Sequence, residues 1–156
     1  EQERMYGNKG EVPDDPDFTI PLGVADIKRP GTDVTIVARS LMVPVALKAA
    51  DELEKQGVSC EVIDPRTIRP LDIDTIVESV KKTNRVVLAE ESHPICGVNA
   101  EISAELMESA FDYLDAPIKR VSGADVPMPY AKNLENLAVP DVARIVAAVR
   151  EVAYLD

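Results

Sequence analysis

Short runs of β-branched and apolar residues, each followed by a segment whose apolar positions recur at helical spacing, constrain this chain more than any other feature. Val34–Ala38, Val58–Ile63, Arg85–Ala89 and Pro117–Val121 are too short for stable helices and read as strands of a sheet interior. After the first run, Val43, Ala46, Leu47, Ala50 and Leu53 share one helical face. Ser40 stands where a cap is expected, Pro44 is tolerated in the first turn, and Gly57 suits the stop. Asp72 is placed to cap a second helix that buries Ile73, Ile76, Val77 and Val80. A third helix is expected from about Asn99 to Tyr113, and a last one from near Pro140 that buries Val142, Ile145, Val146 and Val149. Ile20–Lys28 adds an edge strand. Strands alternating with amphipathic helices define an α/β sheet, mostly parallel, with helices on both faces.

The chain has 156 residues, enough for one domain with a core of its own, and we find no internal repeat. Residues 1–19 are polar and punctuated by Gly7, Gly10, Pro13 and Pro16, and read as an arm or linker. The domain proper is expected over 20–156. The sequence starts at Glu1 rather than at a methionine, so a processed product or a fragment is expected. A long loop is predicted over Gly123–Val139, and loops of that length usually have a task. No apolar run approaches the roughly 18 residues of a membrane span, and no signal-peptide pattern is present. A net charge of -11 argues against a nucleic-acid partner and for neutral or basic ones.

Most catalytic signatures are missing. The sequence has no glycine-rich phosphate loop and no nucleophile elbow. The single histidine, His93, excludes a histidine-built metal cluster. His93 and Cys96 share the loop after the third strand, where open α/β sheets tend to place ligands. An imidazole-activated thiol there would need a third orienting group, and none is identifiable, so the residues support no catalytic centre. Cys60 lies in an apolar strand and reads as core.

Two features point to binding. Between Glu90 and Asp115 there is no lysine or arginine, and Glu101, Glu105, Glu108, Asp112 and Asp115 recur at helical spacing as an acidic stripe. Like charges one turn apart repel, and carboxylates late in a helix oppose its dipole, so a basic partner would relieve both. A solvated face, or pairing with distant basic residues of the same chain, is the alternative. Asp64-Pro65-Arg66-Thr67-Ile68-Arg69-Pro70 follows a strand directly. Its two guanidiniums suit anion binding, or salt bridges to Asp72, Asp74 or a neighbouring subunit.

Three blocks carry a resemblance. They are Val62-Ile63-Asp64-Pro65-Arg66-Thr67-Ile68-Arg69-Pro70-Leu71-Asp72, Gly97-Val98-Asn99-Ala100-Glu101-Ile102, and Leu114-Asp115-Ala116-Pro117 continuing through Gly123-Ala124-Asp125-Val126-Pro127-Met128-Pro129-Tyr130-Ala131-Lys132. Together they resemble the C-terminal domain of the beta subunit of pyruvate dehydrogenase's decarboxylating component, among the transketolase-like thiamine diphosphate enzymes. The match covers nearly the whole chain. Acetoin-cleaving relatives share much of the last block, and branched-chain 2-oxo acid relatives usually have a histidine where Tyr130 stands.

The resemblance implies a three-layer α/β/α domain with a five-stranded mixed sheet, mostly parallel, whose first strand is antiparallel. It implies that thiamine diphosphate and magnesium are bound outside this chain, with no catalytic, cofactor or metal residue within it and no activity of the isolated piece. It implies an alpha subunit and a second beta subunit as partners in a heterotetramer, with Arg66, Arg69, Pro129 and Tyr130 at subunit interfaces. It further implies docking of the basic peripheral-subunit-binding domain of a dihydrolipoyl acyltransferase on Asp115 and Asp156, beside Asp112 and Glu108. The expected compartment is the cytoplasm in a bacterium, or the mitochondrial matrix or plastid in a eukaryote. A free-standing binding module without catalytic role is the alternative from another class.

Overall fold

In the computed structural model, which describes residues 2–155, the alternation seen in the sequence becomes three layers. Strands β1 (Asp26–Arg29), β2 (Val34–Ala38), β3 (Cys60–Asp64), β4 (Val86–Ala89) and β5 (Lys119–Val121) form one sheet in the order β1-β3-β2-β4-β5. β1 runs antiparallel to β3, with Asp26 opposite Asp64, and the other pairs are parallel.

Side chains along β2 alternate between the faces, as a pleated strand requires. Val34, Ile36 and Ala38 pack on α1 (Met42–Glu54) and α5 (Val142–Val152). Val37 packs with Ile63, Val86 and Leu88 against α2 (Ile73–Thr83) and α3 (Val98–Ser109). Thr35 also lies on the α2 side, where its hydroxyl bonds those of Ser79 and Thr83 at 2.7 Å each, so this buried polar position is satisfied. Gly31 lies against β3 so closely that an added Cβ would sit 2.2 Å from the carbonyl carbon of Cys60, which requires glycine.

The structure departs from the sequence reading at four places. The edge strand is confined to Asp26–Arg29, because the preceding backbone bonds side chains instead of a strand: Gly23 N–H donates to Thr67 Oγ1 and Ala25 N–H to Asp72 Oδ2. Ser40 does not cap α1. It sits at φ 54°, and its carbonyl accepts from Val43 N–H. The predicted loop over 123–139 contains a short helix, α4 (Lys132–Ala138), closed by Ala124 N–H donating to Ala138 O. Its Leu134 and Leu137 are exposed, so it carries no inward apolar pattern to read. Finally, α3 stops at Ser109, Ala110 leaves helical geometry, and Phe111–Tyr113 form a separate 3-10 turn.

Asp72 caps α2 as expected, accepting from Thr75 N–H and Thr75 Oγ1 as well as from Ala25. Burial opposes its ionisation, yet the bonds from Ala25 and Thr75 outweigh burial and hold its carboxyl below the usual value. Asp72→Ala is therefore expected to cost about 1 kcal/mol in urea denaturation at neutral pH. A depressed carboxyl stabilises above its unfolded pKa and loses that effect as pH falls through the folded value. The gap between parent and variant should thus hold from pH 7 to about 5 and narrow below about pH 4.

Candidate functional site

β2 and β4 are neighbours, but the connections that leave them pass to opposite faces, through α1 and α3. A crevice at the carboxyl ends of such a strand pair is where open α/β sheets hold ligands. Here the chain places an ion pair of its own. Glu90, directly after β4, is fully buried and accepts from Arg39 Nη2 at 2.9 Å. Its carboxylate also accepts from Ser92 Oγ at 2.7 Å, Ser122 Oγ at 3.2 Å and Asn99 N–H at 3.3 Å. The last of these is a free donor at the start of α3, whose cap residue Gly97 contributes no side chain. A Cβ on Gly97 would meet Glu90 Oε1 at 2.4 Å, so glycine is what lets the carboxylate lie against the helix end.

The neighbouring loop carries His93 and Cys96. His93 Nδ1 lies 3.7 Å from Asp125 Oδ1, and both side chains are more than half exposed. Cys96 is exposed at φ 58°, and Cys60 is buried in the sheet with its thiol pushed up to about 12 by that burial. Among the described residues, no group of three or more His, Cys, Asp or Glu side chains converges to hold a metal.

A second arrangement forms at the other end of α3. Glu101, Glu105 and Glu108 are exposed on the helix, Asp112 on the 3-10 turn, and Asp115 in the turn before β5. The break after Ser109 means that the acids follow a bent path, not the single helical stripe that the spacing suggests. Asp115 is not unpaired either: its Oδ2 lies 3.5 Å from Arg85 Nη2, with 57% of its side chain exposed.

The backbone around Asp115 is fixed from several directions. Asn84 ends α2 in the left-handed region at φ 61°. Its carbonyl accepts from Asp115 N–H at 2.8 Å, and its Nδ2 donates to Tyr113 O at 2.8 Å. From the end of α5, Tyr154 Oη donates to Asp115 O at 3.0 Å. The end of the described chain is thereby tied beside Asp115. Asp156, the other acid expected to dock a partner, lies outside the described residues.

The residues expected at subunit interfaces differ in exposure and bonding. Arg66, at φ 57°, donates from Nη2 to Asp26 at 2.8 Å, so its internal partner is neither Asp72 nor Asp74. Arg69 is exposed, Pro129 is half-buried and Tyr130 is fully exposed. The sequence reading missed Arg39, Glu90, Arg85 and Tyr154. The signal for Glu90 was available: a carboxylate directly after an apolar strand, followed by a helix with no capping side chain.

These features define an α/β/α domain with an ion pair at its strand ends and a row of exposed acids along and after α3. The chain matches the family described as "Transketolase, C-terminal domain" over residues 23–145, and it belongs to that family. It is 53% identical over 154 residues to "Pyruvate dehydrogenase E1 component subunit beta" of Rhizobium meliloti (strain 1021), covering 99% of this chain and 34% of the relative. It is also 53% identical over 157 residues to the mitochondrial subunit beta-2 of Oryza sativa subsp. japonica, covering 99% and 42%. A solved "Split gene transketolase, inactive beta4 tetramer" aligns with a TM-score of 0.77 at 32% identity, covering 90% of this chain and 45% of that one. The chain thus spans less than half the length of these relatives.

Glu90→Ala would leave Arg39 half-buried without its counter-ion and the start of α3 without its acceptor. The expected cost is about 3–5 kcal/mol in denaturant unfolding. Glu90→Gln, which keeps one accepting oxygen and puts a donating amide nitrogen in place of the other, should cost less than Glu90→Ala.

Proposed function

We propose that this domain is the assembly and docking part of the beta subunit of a thiamine diphosphate-dependent pyruvate dehydrogenase, the enzyme that decarboxylates pyruvate oxidatively and passes the acetyl group to a lipoyl group. Identity of 53% across 99% of the chain with named beta subunits supports the pyruvate reading. The observation that carries the docking role is Asp115, exposed on a turn fixed by Asn84 and Tyr154. Asp112 and Glu108 complete the acidic surface in this reading, Asp156, outside the described residues, is a further proposed contact, and the partner is the basic peripheral-subunit-binding domain of a dihydrolipoyl acyltransferase.

An alpha subunit and a second beta subunit complete a heterotetramer, with Arg66, Arg69, Pro129 and Tyr130 at its contacts. Residues 1–19 serve as the arm toward the rest of the subunit. Within the described part of that arm, Gln2 Nε2 donates to both oxygens of Glu91, at 2.9 and 2.8 Å. The described residues do not fit thiamine diphosphate with its magnesium, because they offer no converging acidic set and their single histidine pairs loosely with Asp125. That cofactor belongs to parts of the enzyme outside this chain. The relatives include bacterial and mitochondrial proteins, which suits a cytoplasmic or a matrix or plastid enzyme, and no helix among the described residues is long and apolar enough to cross a membrane.

Calorimetric titration of the assembled enzyme with the peripheral-subunit-binding domain, at low and high salt, tests this reading. Binding should weaken with salt, and Asp115→Asn should weaken it by more than about 1 kcal/mol. An unchanged affinity in that variant would remove Asp115 from the docking surface. Arg85 competes for the same carboxylate across an exposed pair, so Arg85→Gln should tighten binding on the order of a few-fold.

A further inference from the structure

Beside Asp115, where α3 runs past β5 at the end of the sheet, there is an open groove of about 530 Å³. Its walls are mainly apolar, built from Met107, Phe111, Leu114, Pro117 and Ile118. Met107 is 47% exposed and Phe111 60%, so the groove holds large apolar side chains in contact with water. Its volume falls within the roughly 300–1,000 Å³ range of ordinary binding pockets.

The margin of the groove is acidic. Asp115 lines it, and Glu108 and Asp112 directly follow Met107 and Phe111 in the chain. Among the described residues, no basic group lies within ion-pair distance of Glu108 or Asp112, whereas Arg120, the one cation in the lining, is engaged with the carbonyl of Pro94 at 3.0 Å. A purely apolar occupant would bring these carboxylates under low-dielectric cover without counter-ions. A purely cationic one would leave Met107 and Phe111 wet. The complement that satisfies both is a helix with an apolar face and flanking lysines or arginines, the helix-in-groove mode of recognition.

We infer that this groove seats the apolar face of a cationic amphipathic helix, presented by the same partner whose basic groups meet Asp115. The inference rests on the docking reading above and adds an apolar anchor to it.

The test uses the assembled enzyme, with the peripheral-subunit-binding domain as the probe in calorimetry. Met107→Ser combined with Phe111→Ser should weaken binding at least tenfold while leaving its salt dependence unchanged, since both side chains are exposed and uncharged. Glu108→Gln combined with Asp112→Asn should flatten the salt dependence instead. If the serine pair binds within twofold of the parent while Asp115→Asn still weakens binding, the groove assignment fails and the docking reading stands. If Asp115→Asn is also neutral, both fail. If the serine pair loses its subunit assembly on size-exclusion chromatography, the groove is covered by the enzyme's own subunits and the inference is overturned.

Discussion

The buried carboxylate of Glu90 is the interaction on which the arrangement of this domain most depends. It connects the exits of three strands and the start of one helix: Arg39 after β2, Ser92 after β4, Ser122 after β5, and the Asn99 N–H in the first turn of α3. A buried charge is tolerated only when it is paired and fully hydrogen-bonded, and Glu90 meets both conditions. At the carboxyl ends of β2 and β4, where a sheet of this topology can hold a ligand, this domain places an internal ion pair.

The exposed turn at Asp115 follows the same logic with the burial reversed. A docking carboxylate is most effective when its position does not have to be ordered on binding. Asp115 keeps its side chain in water while its backbone is bonded to the end of α2 through Asn84 and to the tail of α5 through Tyr154. Those bonds join two layers on opposite faces of the sheet. The turn is therefore held by the packing of the whole domain and not by local sequence alone.

Most of the fold was legible because burial on both faces leaves strands as short apolar runs and helices as single-faced ones. Val34–Ala38 and the Ile73, Ile76, Val77, Val80 set are clear instances. What was not legible depended on contacts distant in sequence. Nothing local says that Gly23 and Ala25 bond Thr67 and Asp72 across more than 40 residues, and that bonding is what shortens the edge strand. Helix α4 was hidden because its leucines face solvent. At the candidate site, the sequence reading singled out Asp115 and the acids before it, but counted them on one continuous helix, which the structure breaks after Ser109. It had no way to register that Arg85, 30 residues earlier, stands beside Asp115.

That neighbour changes how the acidic row works. Glu101, Glu105 and Glu108 repel one another by a few tenths of a kcal/mol per pair, and acids in the last turn of α3 meet the negative end of its dipole. Among the described residues, only the final member of the row has an ion-pair partner, Arg85 at 3.5 Å, a separation and exposure at which an ion pair contributes little. The rest of the repulsion stays in the folded domain, carried by the apolar packing of Ile102 and Leu106 on the other side of the same helix. A cationic partner would therefore find a surface whose charge is already in place and already unfavourable to itself. Its affinity then draws on released repulsion as well as on new contacts, and both contributions shrink as salt screens them.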